Sequence, residues 1–152
     1  MFAEPYQLRL MTEADIQSVM AIEKRAYPFP WSEGNLRDCL KSNYYACVLE
    51  DGTNMIGYAL MSMAAGEAHV LNICIDPDHQ GKGLGRALLH SLEQTARENK
   101  VEMLLLEVRA SNKRAINLYE SMGFNELGCR ENYYPSHKGR EDALVLARQL
   151  TE

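Results

Sequence analysis

The stretch from Leu71 to Leu89, LNICIDPDHQGKGLGRALL, joins an apolar run to a helical run through a loop carrying Gly81, Gly83 and Gly85. Glycine lets the backbone turn successive N–H groups toward one point, and the following helix adds the positive end of its macrodipole. Together they make a site for phosphate oxygens. Glu107 follows Met103-Leu104-Leu105-Leu106 at the end of a second apolar strand, and ligands of open α/β sheets sit at the carboxyl ends of strands. A carboxylate partly removed from water there is either a general base or a structural carboxylate paired with Arg109 or capping a loop. Asn112, Ile116 and Tyr119 fall at i, i+4 and i+7, one face of a helix. The Tyr119 phenol either protonates a departing group or packs as a core tyrosine, and Asn112 is either a helix cap or a ligand contact.

Two better-known phosphate loops are excluded. A Walker loop needs Gly-Lys followed by Ser or Thr, and the Gly81-Lys82 pair is followed by Gly83. A dinucleotide fingerprint needs a third glycine three residues after the second. Counting from Gly81 that position is Arg86, and from Gly83 it is Leu88. Asp76 to Gln80 also separate the strand from the first glycine, whereas a Rossmann turn is tight.

The surrounding pattern supplies the elements that must carry these groups. Tyr6 to Met11 alternates like a strand, and Thr12 caps a helix that Pro28 and Pro30 stop near Ala26. Ser32 caps a shorter helix through about Leu40, weakened by Gly34. Tyr44 to Leu49 and Met55 to Met63 are strands joined by the hairpin signal Asp51-Gly52-Thr53-Asn54. Glu67 to Ile75 and Val101 to Val108 are apolar on both faces, as central strands are. The helix between them extends to about Asn99, so the two strands form a parallel pair with a right-handed crossover. A helix capped by Ser111 or Asn112 runs to Gly123. A strand from Phe124 to Arg130, a polar loop from Glu131 to Arg140 and a final strand from Ala143 to Arg148 complete the chain. With no repeat or linker, residues 1–152 read as one domain.

Composition narrows the class. At 152 residues, 46% hydrophobic and 24% charged, the chain is globular. A formal net charge of -5 argues against a general nucleic-acid binder and suits a cationic substrate or simple solubility. The N-terminal MFAEPYQLRL lacks a secretory pattern, and no apolar run approaches a membrane span. Cys39, Cys47, Cys74 and Cys129 are scattered, which reads as reduced thiols in a cytoplasmic protein. The four histidines lack ligand spacing, so no metal is expected. No Gly-x-Ser-x-Gly elbow offers a nucleophile for an acyl-enzyme route.

Gln80-x-x-Gly83-x-Gly85, after a strand and at the start of a helix, resembles the acyl-CoA pyrophosphate loop of the GCN-five-related N-acetyltransferases (GNAT). Glu107-Val108-Arg109-Ala110-Ser111-Asn112, Ala115-Ile116-x-Leu118-Tyr119-Glu120 and Gly123-Phe124 closely resemble the bacterial RimI branch of that family. So do Phe29-Pro30-Trp31-Ser32, Asn132-Tyr133-Tyr134-Pro135 and Gly139-Arg140-Glu141-Asp142-Ala143, and the likeness spans Leu8 to about Ala147. It implies an α/β single-domain GNAT fold: a mixed, mostly antiparallel sheet with a splayed central parallel strand pair flanked by helices. It implies acetyl-CoA as donor, held by the backbone of Ile73, Cys74 and Ile75, by Gly81, Lys82, Gly83, Leu84, Gly85 and Arg86 around the pyrophosphate, and by Asn112. Glu107 becomes the base and Tyr119 the acid.

The substrate that the resemblance implies is the N-terminal alanine of a small-subunit ribosomal protein, taken by an enzyme that could act as a monomer, without direct contact to nucleic acid or membrane. Trp31, Tyr133 and Tyr134 would wall the peptide groove. Read from the residues alone, the two tyrosines lie in a polar segment without strand alternation, as binding aromatics do. Trp31 could equally be a hydrophobic staple. Glu67 either meets the incoming amine or is a solvated hairpin acid. Ser136-His137-Lys138 departs from the family pattern. Two other readings stay open: the same fold acetylating a small amine or a lysine side chain, and a non-catalytic CoA-binding sensor.

Overall fold

The structure, a computed structural model, describes residues 2–150. In chain order its elements are β1 (Tyr6–Leu10), α1 (Ile16–Ala26), α2 (Glu33–Lys41), β2 (Tyr45–Asp51), β3 (Asn54–Ala64), β4 (Glu67–Ile75), α3 (Leu84–Glu98), β5 (Met103–Arg109), α4 (Lys113–Ser121), β6 (Asn125–Ser136) and β7 (Gly139–Gln149). The strands are hydrogen-bonded in the order β1-β2-β3-β4-β5-β7-β6. β4 and β5 are parallel, whereas β1 with β2, β2 with β3, β5 with β7 and β6 with β7 are antiparallel. This is the mixed α/β sheet with a central parallel pair that the strand–helix–strand pattern predicts. Among the described residues, no helix is long and apolar enough to cross a membrane.

The chain forms two compact units that share β4, the first running to Ser62 and including Leu71–Leu92, the second comprising Met63–Val70 and the residues from Glu93 on. In the first unit, Ile16, Val19, Met20 and Ile22 of α1, Leu36 of α2, and Val48, Tyr58, Leu60 and Cys74 of the sheet share one buried core. Thr12 begins not an α-helix but a 3-10 turn over Glu13–Asp15. Thr12 N–H donates to Asp15 Oδ2 at 2.8 Å, and Arg9 pairs with the same carboxylate at 2.8 Å, which holds that carboxyl below its usual range. Ser32 accepts from Asn35 N–H at 3.1 Å, the N-cap expected for α2. A side chain at Gly57 would place a Cβ 2.8 Å from Ile75 Cδ1 and 2.9 Å from the Cys74 carbonyl oxygen, so glycine is what lets β3 lie this close to β4.

In the second unit, β4 and β5 pair from Glu67 with Met103 to Val70 with Leu106. Leu104, Leu106 and Val108 are buried, as are Ile116 of α4, Phe124 and Leu146. The expected polar loop from Glu131 to Arg140 is instead mostly strand, and only the turn between Ser136 and Gly139 is loop. Two bulges hide it from a period-2 reading. Glu126 and Gly128 sit opposite consecutive residues of β7, which leaves Leu127 extra, and residues 131–133 face Asp142 alone. Asn132 takes a left-handed φ of 52° within that bulge, its N–H held by Asp142 Oδ1 at 3.0 Å.

Candidate active site

The glycine loop is built on the first unit. Asp76 receives Arg25 at 2.7 Å and caps a 3-10 turn over Pro77–His79 by accepting from Asp78 N–H at 3.0 Å. Gln80 Nε2 then donates back to the Ile75 carbonyl at 3.1 Å, which turns the chain toward the glycines. Gly81 and Gly83 take φ values of 82° and 78°, and a Cβ at either would meet nothing within 4 Å. The loop is therefore shaped by backbone conformation and not by crowding. Ala87 N–H bonds to Gly83 O at 3.1 Å, so the N–H groups of Leu84 and Gly85 at the start of α3 have no partner inside the helix. Open glycine backbone, these N–H groups and the exposed Lys82 and Arg86 fit a pyrophosphate.

Along β4 the backbone groups divide by side. The Cys74 carbonyl lies against Gly57 and Asp76 N–H bonds to Ile56 O at 2.7 Å, so both face β3. Strand alternation turns Ile73 and Ile75 to the opposite side. There the Ile73 carbonyl accepts from Tyr27 Oη at 3.1 Å and the Ile75 carbonyl from Gln80. Cys74 itself is buried, and burial pushes its thiol up to about 11, the behaviour of a small core residue and not of a nucleophile.

The second unit gathers Glu107 with residues from two further strands. Glu107 pairs across with Val145, Arg109 with Ala143, Arg130 with Ala143, and Tyr134 with Glu141. Laterally paired residues point the same way. Glu107, Arg109, Arg130, Tyr134 and Glu141 therefore share one sheet face. Arg130 Nε lies 2.7 Å from Glu107 Oε2, yet that oxygen is buried and meets no aligned hydrogen-bond donor among the described residues. Arg109 donates to the Pro135 carbonyl at 2.6 Å and to Glu141 Oε1 at 2.9 Å, and its guanidinium sits 4.5 Å from the centre of the Tyr134 ring. Tyr133 stands edge-on to Tyr134 at 4.9 Å, with the Arg130 guanidinium 5.4 Å over it.

Two phenols of this unit are held neutral by their surroundings. Burial pushes Tyr119 up to about 12. Burial, then the charges of Glu107 and Tyr133, push Tyr134 up to about 12, with Arg109 opposing. Tyr119 packs near Phe124 at 6.0 Å between ring centres. Asn112 caps α4, its side-chain oxygen accepting from Ala115 N–H at 3.2 Å.

Not every candidate joins these two groups. Glu67 is exposed at the first parallel pair, opposite Met103, about 13 Å along β5 from Glu107 at 3.3 Å per residue. Trp31 belongs to the first unit, partly buried against its core, with its N–H bonded to Glu23 Oε2 at 2.8 Å. Arg130, Glu141 and Glu23 did not emerge from sequence as participants, and Arg109, weighed there as the partner of Glu107, pairs with Glu141 instead. A signal existed for Glu23, which falls at i+7 from Ile16 on the apolar stripe of α1, where a charge needs partners. Arg130 could not be aligned with Glu107 without the bulge in β6.

The family model for the acetyltransferase (GNAT) family matches residues 16–124, and the chain belongs to that family. Members use acetyl-CoA as acyl donor. The chain is 45% identical over 137 residues to the [ribosomal protein bS18]-alanine N-acetyltransferase of Escherichia coli K12, covering 90% of this chain and 93% of that one. It is 40% identical over 137 residues to the protein of the same name from Haemophilus influenzae, with the same coverage of 90% and 93%. The crystal structure of the ribosomal-protein-S18-alanine N-acetyltransferase from Escherichia coli superimposes with a TM-score of 0.92 at 41% identity, covering 97% of this chain and 95% of that one.

Proposed function

We propose that the chain, acting as one catalytic domain, transfers the acetyl group of acetyl-CoA to the N-terminal α-amine of an alanine, that of ribosomal protein bS18, by direct attack of the amine. The observation that carries this reading is the Glu107 carboxylate, whose buried Oε2 lacks an aligned donor on a face lined by Tyr134 and two arginines. An N-terminal amine has a pKa of about 7.7 to 8.0 and is mainly protonated at pH 7. It must lose a proton to attack, and in this reading Glu107 accepts it. Acetyl-CoA supplies the acyl group already activated as a thioester. The loop from Gly81 to Arg86 binds its pyrophosphate. The outward side of β4 at Ile73 and Ile75 offers N–H groups that can polarise an acyl carbonyl. Tyr119, neutral throughout the physiological range, donates its O–H to the sulfur as the C–S bond breaks. Tyr133 and Tyr134 of the second unit, and Trp31 of the first, are the side chains assigned to the peptide.

Replacing Gly83 by Ala places a side chain at a φ of 78°, a strain of about 1 to 2 kcal/mol. It is expected to raise the KM for acetyl-CoA by roughly tenfold while the peptide KM holds, as steady-state kinetics would show. The direct test of the function is mass spectrometry after incubation with acetyl-CoA and an Ala-Arg-Tyr peptide, beside the same peptide with a blocked N-terminus and an added lysine. Acetyl on the free α-amine alone is the expected result. Acetyl on lysine overturns the substrate reading, and no transfer to either peptide overturns it in favour of a CoA-binding sensor.

A further inference from the structure

Glu23 is a carboxylate 2% exposed at the end of α1. Three donors from three separate segments converge on it. Trp31 N–H reaches Oε2 at 2.8 Å, while Asn72 Nδ2 reaches Oε1 at 3.0 Å and the Tyr58 hydroxyl makes a short bond to the same oxygen. An apolar residue would fill this place in the α1 stripe without any need for partners, so the carboxylate must answer to something else. What it adds is a fixed address for the connector between α1 and α2. Residues 27–32 form no helix or strand of their own, and the Trp31 backbone N–H ties them to Glu23. Two neighbours on the same helix end strengthen the mooring, since Arg25 pairs with Asp76 at 2.7 Å and Tyr27 Oη bonds to Ile73 O at 3.1 Å. Val19, Leu36 and Leu60 line one pocket together with Trp31 and Glu23.

We infer that Glu23 is a positioning residue for peptide recognition: its carboxylate ties the Trp31 connector to β3 and β4 and thereby fixes the wall that Trp31 presents to the acceptor peptide. The inference rests on the proposed role of Trp31 in the peptide groove.

Trp31 is the single tryptophan of the chain, so intrinsic fluorescence reports on it alone. Glu23→Met occupies nearly the same space and offers no strong acceptor. In the full-length protein it is expected to shift Trp31 emission to longer wavelength and to raise the peptide KM about tenfold, with the acetyl-CoA KM and kcat within about twofold. Wild-type emission together with a wild-type peptide KM would overturn the inference, as would equal losses in both KM values, which mark a general loss of structure. If Glu23→Met does not fold, Glu23→Gln carries the same expectation at smaller size, because it keeps one acceptor oxygen for three donors. Trp31→Ala separates the two claims. A wild-type peptide KM in that variant overturns the groove assignment itself, whereas a raised KM there beside unaffected Glu23 variants overturns only the part given to Glu23.

Discussion

Glu107→Gln is expected to lower kcat/KM for the peptide by roughly 10²- to 10⁴-fold, the usual contribution of a positioned general base. The amide keeps the shape of the side chain but cannot take the ammonium proton. Acetyl-CoA binding should persist, since the glycine loop and the outward side of β4 belong to the other compact unit. Equilibrium binding of acetyl-CoA measured beside single-turnover acetylation distinguishes lost chemistry from lost structure. Wild-type turnover across pH in this variant would show that Glu107 is not the base. Arg130, 2.7 Å from the carboxylate, loses an ion partner in the same variant. The control is therefore Arg130→Gln, in which binding through the Tyr133 contact changes but the base remains.

Tyr119→Phe should lower kcat by about 10²-fold with little effect on either KM, because a proton donor to the leaving sulfur acts only as the bond breaks. The direction of its pKa matters here. A phenol pushed up to about 12 by burial stays protonated wherever the amine substrate can be assayed. A thiol has an ordinary pKa of about 8.5, so complete transfer from such a phenol to a thiolate runs uphill by several kcal/mol at about 1.36 kcal/mol per unit. The gain comes from the hydrogen bond that strengthens as negative charge builds on sulfur. Stability should carry the same signature. With the folded value raised to about 12 above the ordinary one near 10, stability from the neutral phenol is complete below about pH 10. It is lost as the pH climbs through that window. Tyr119→Phe should flatten this alkaline slope in denaturant melts, and an unchanged slope would mean that the phenol is solvated.

Much of the architecture was legible because local signals agreed with one another. Ser32 announced α2, Asp51-Gly52 announced the β2–β3 hairpin, and the two-sided apolar runs read at Glu67 to Ile75 and Val101 to Val108 marked the parallel pair, observed as Glu67–Ile75 and Met103–Arg109. The glycine loop was equally open to reading, since positive φ at Gly81 and Gly83 leaves few other residues possible. Glu107 and Tyr119 stood out by position, but their surroundings did not. Arg130 and Tyr134 reach the face of Glu107 through the extra residue in β6, since an insertion of one residue reverses which side chains face which way, whereas Glu141 shares that face by regular alternation in β7. A period-2 reading therefore turned twelve residues of strand into a strand and a loop. The Cys74 carbonyl, by contrast with those of Ile73 and Ile75, lies on the β3 side. Sequence marks a strand's residues, not which neighbour each backbone group will meet.

The bulges in β6 have a second effect, on how the molecule behaves among copies of itself. β6 ends the strand order, and an outermost strand of twelve residues offers a row of unpaired N–H and C=O groups to any passing chain. A flat edge of that length would invite strand-to-strand aggregation. The extra residue at Leu127 and the looped-out 131–133 break its regular spacing, and exposed Glu126, Arg130 and Glu131 add charge along it. The irregularity that brings Arg130 and Tyr134 toward Glu107 thus also breaks up the edge that a neighbour would extend. Variants that straighten β6 would be expected to lose solubility as well as peptide recognition.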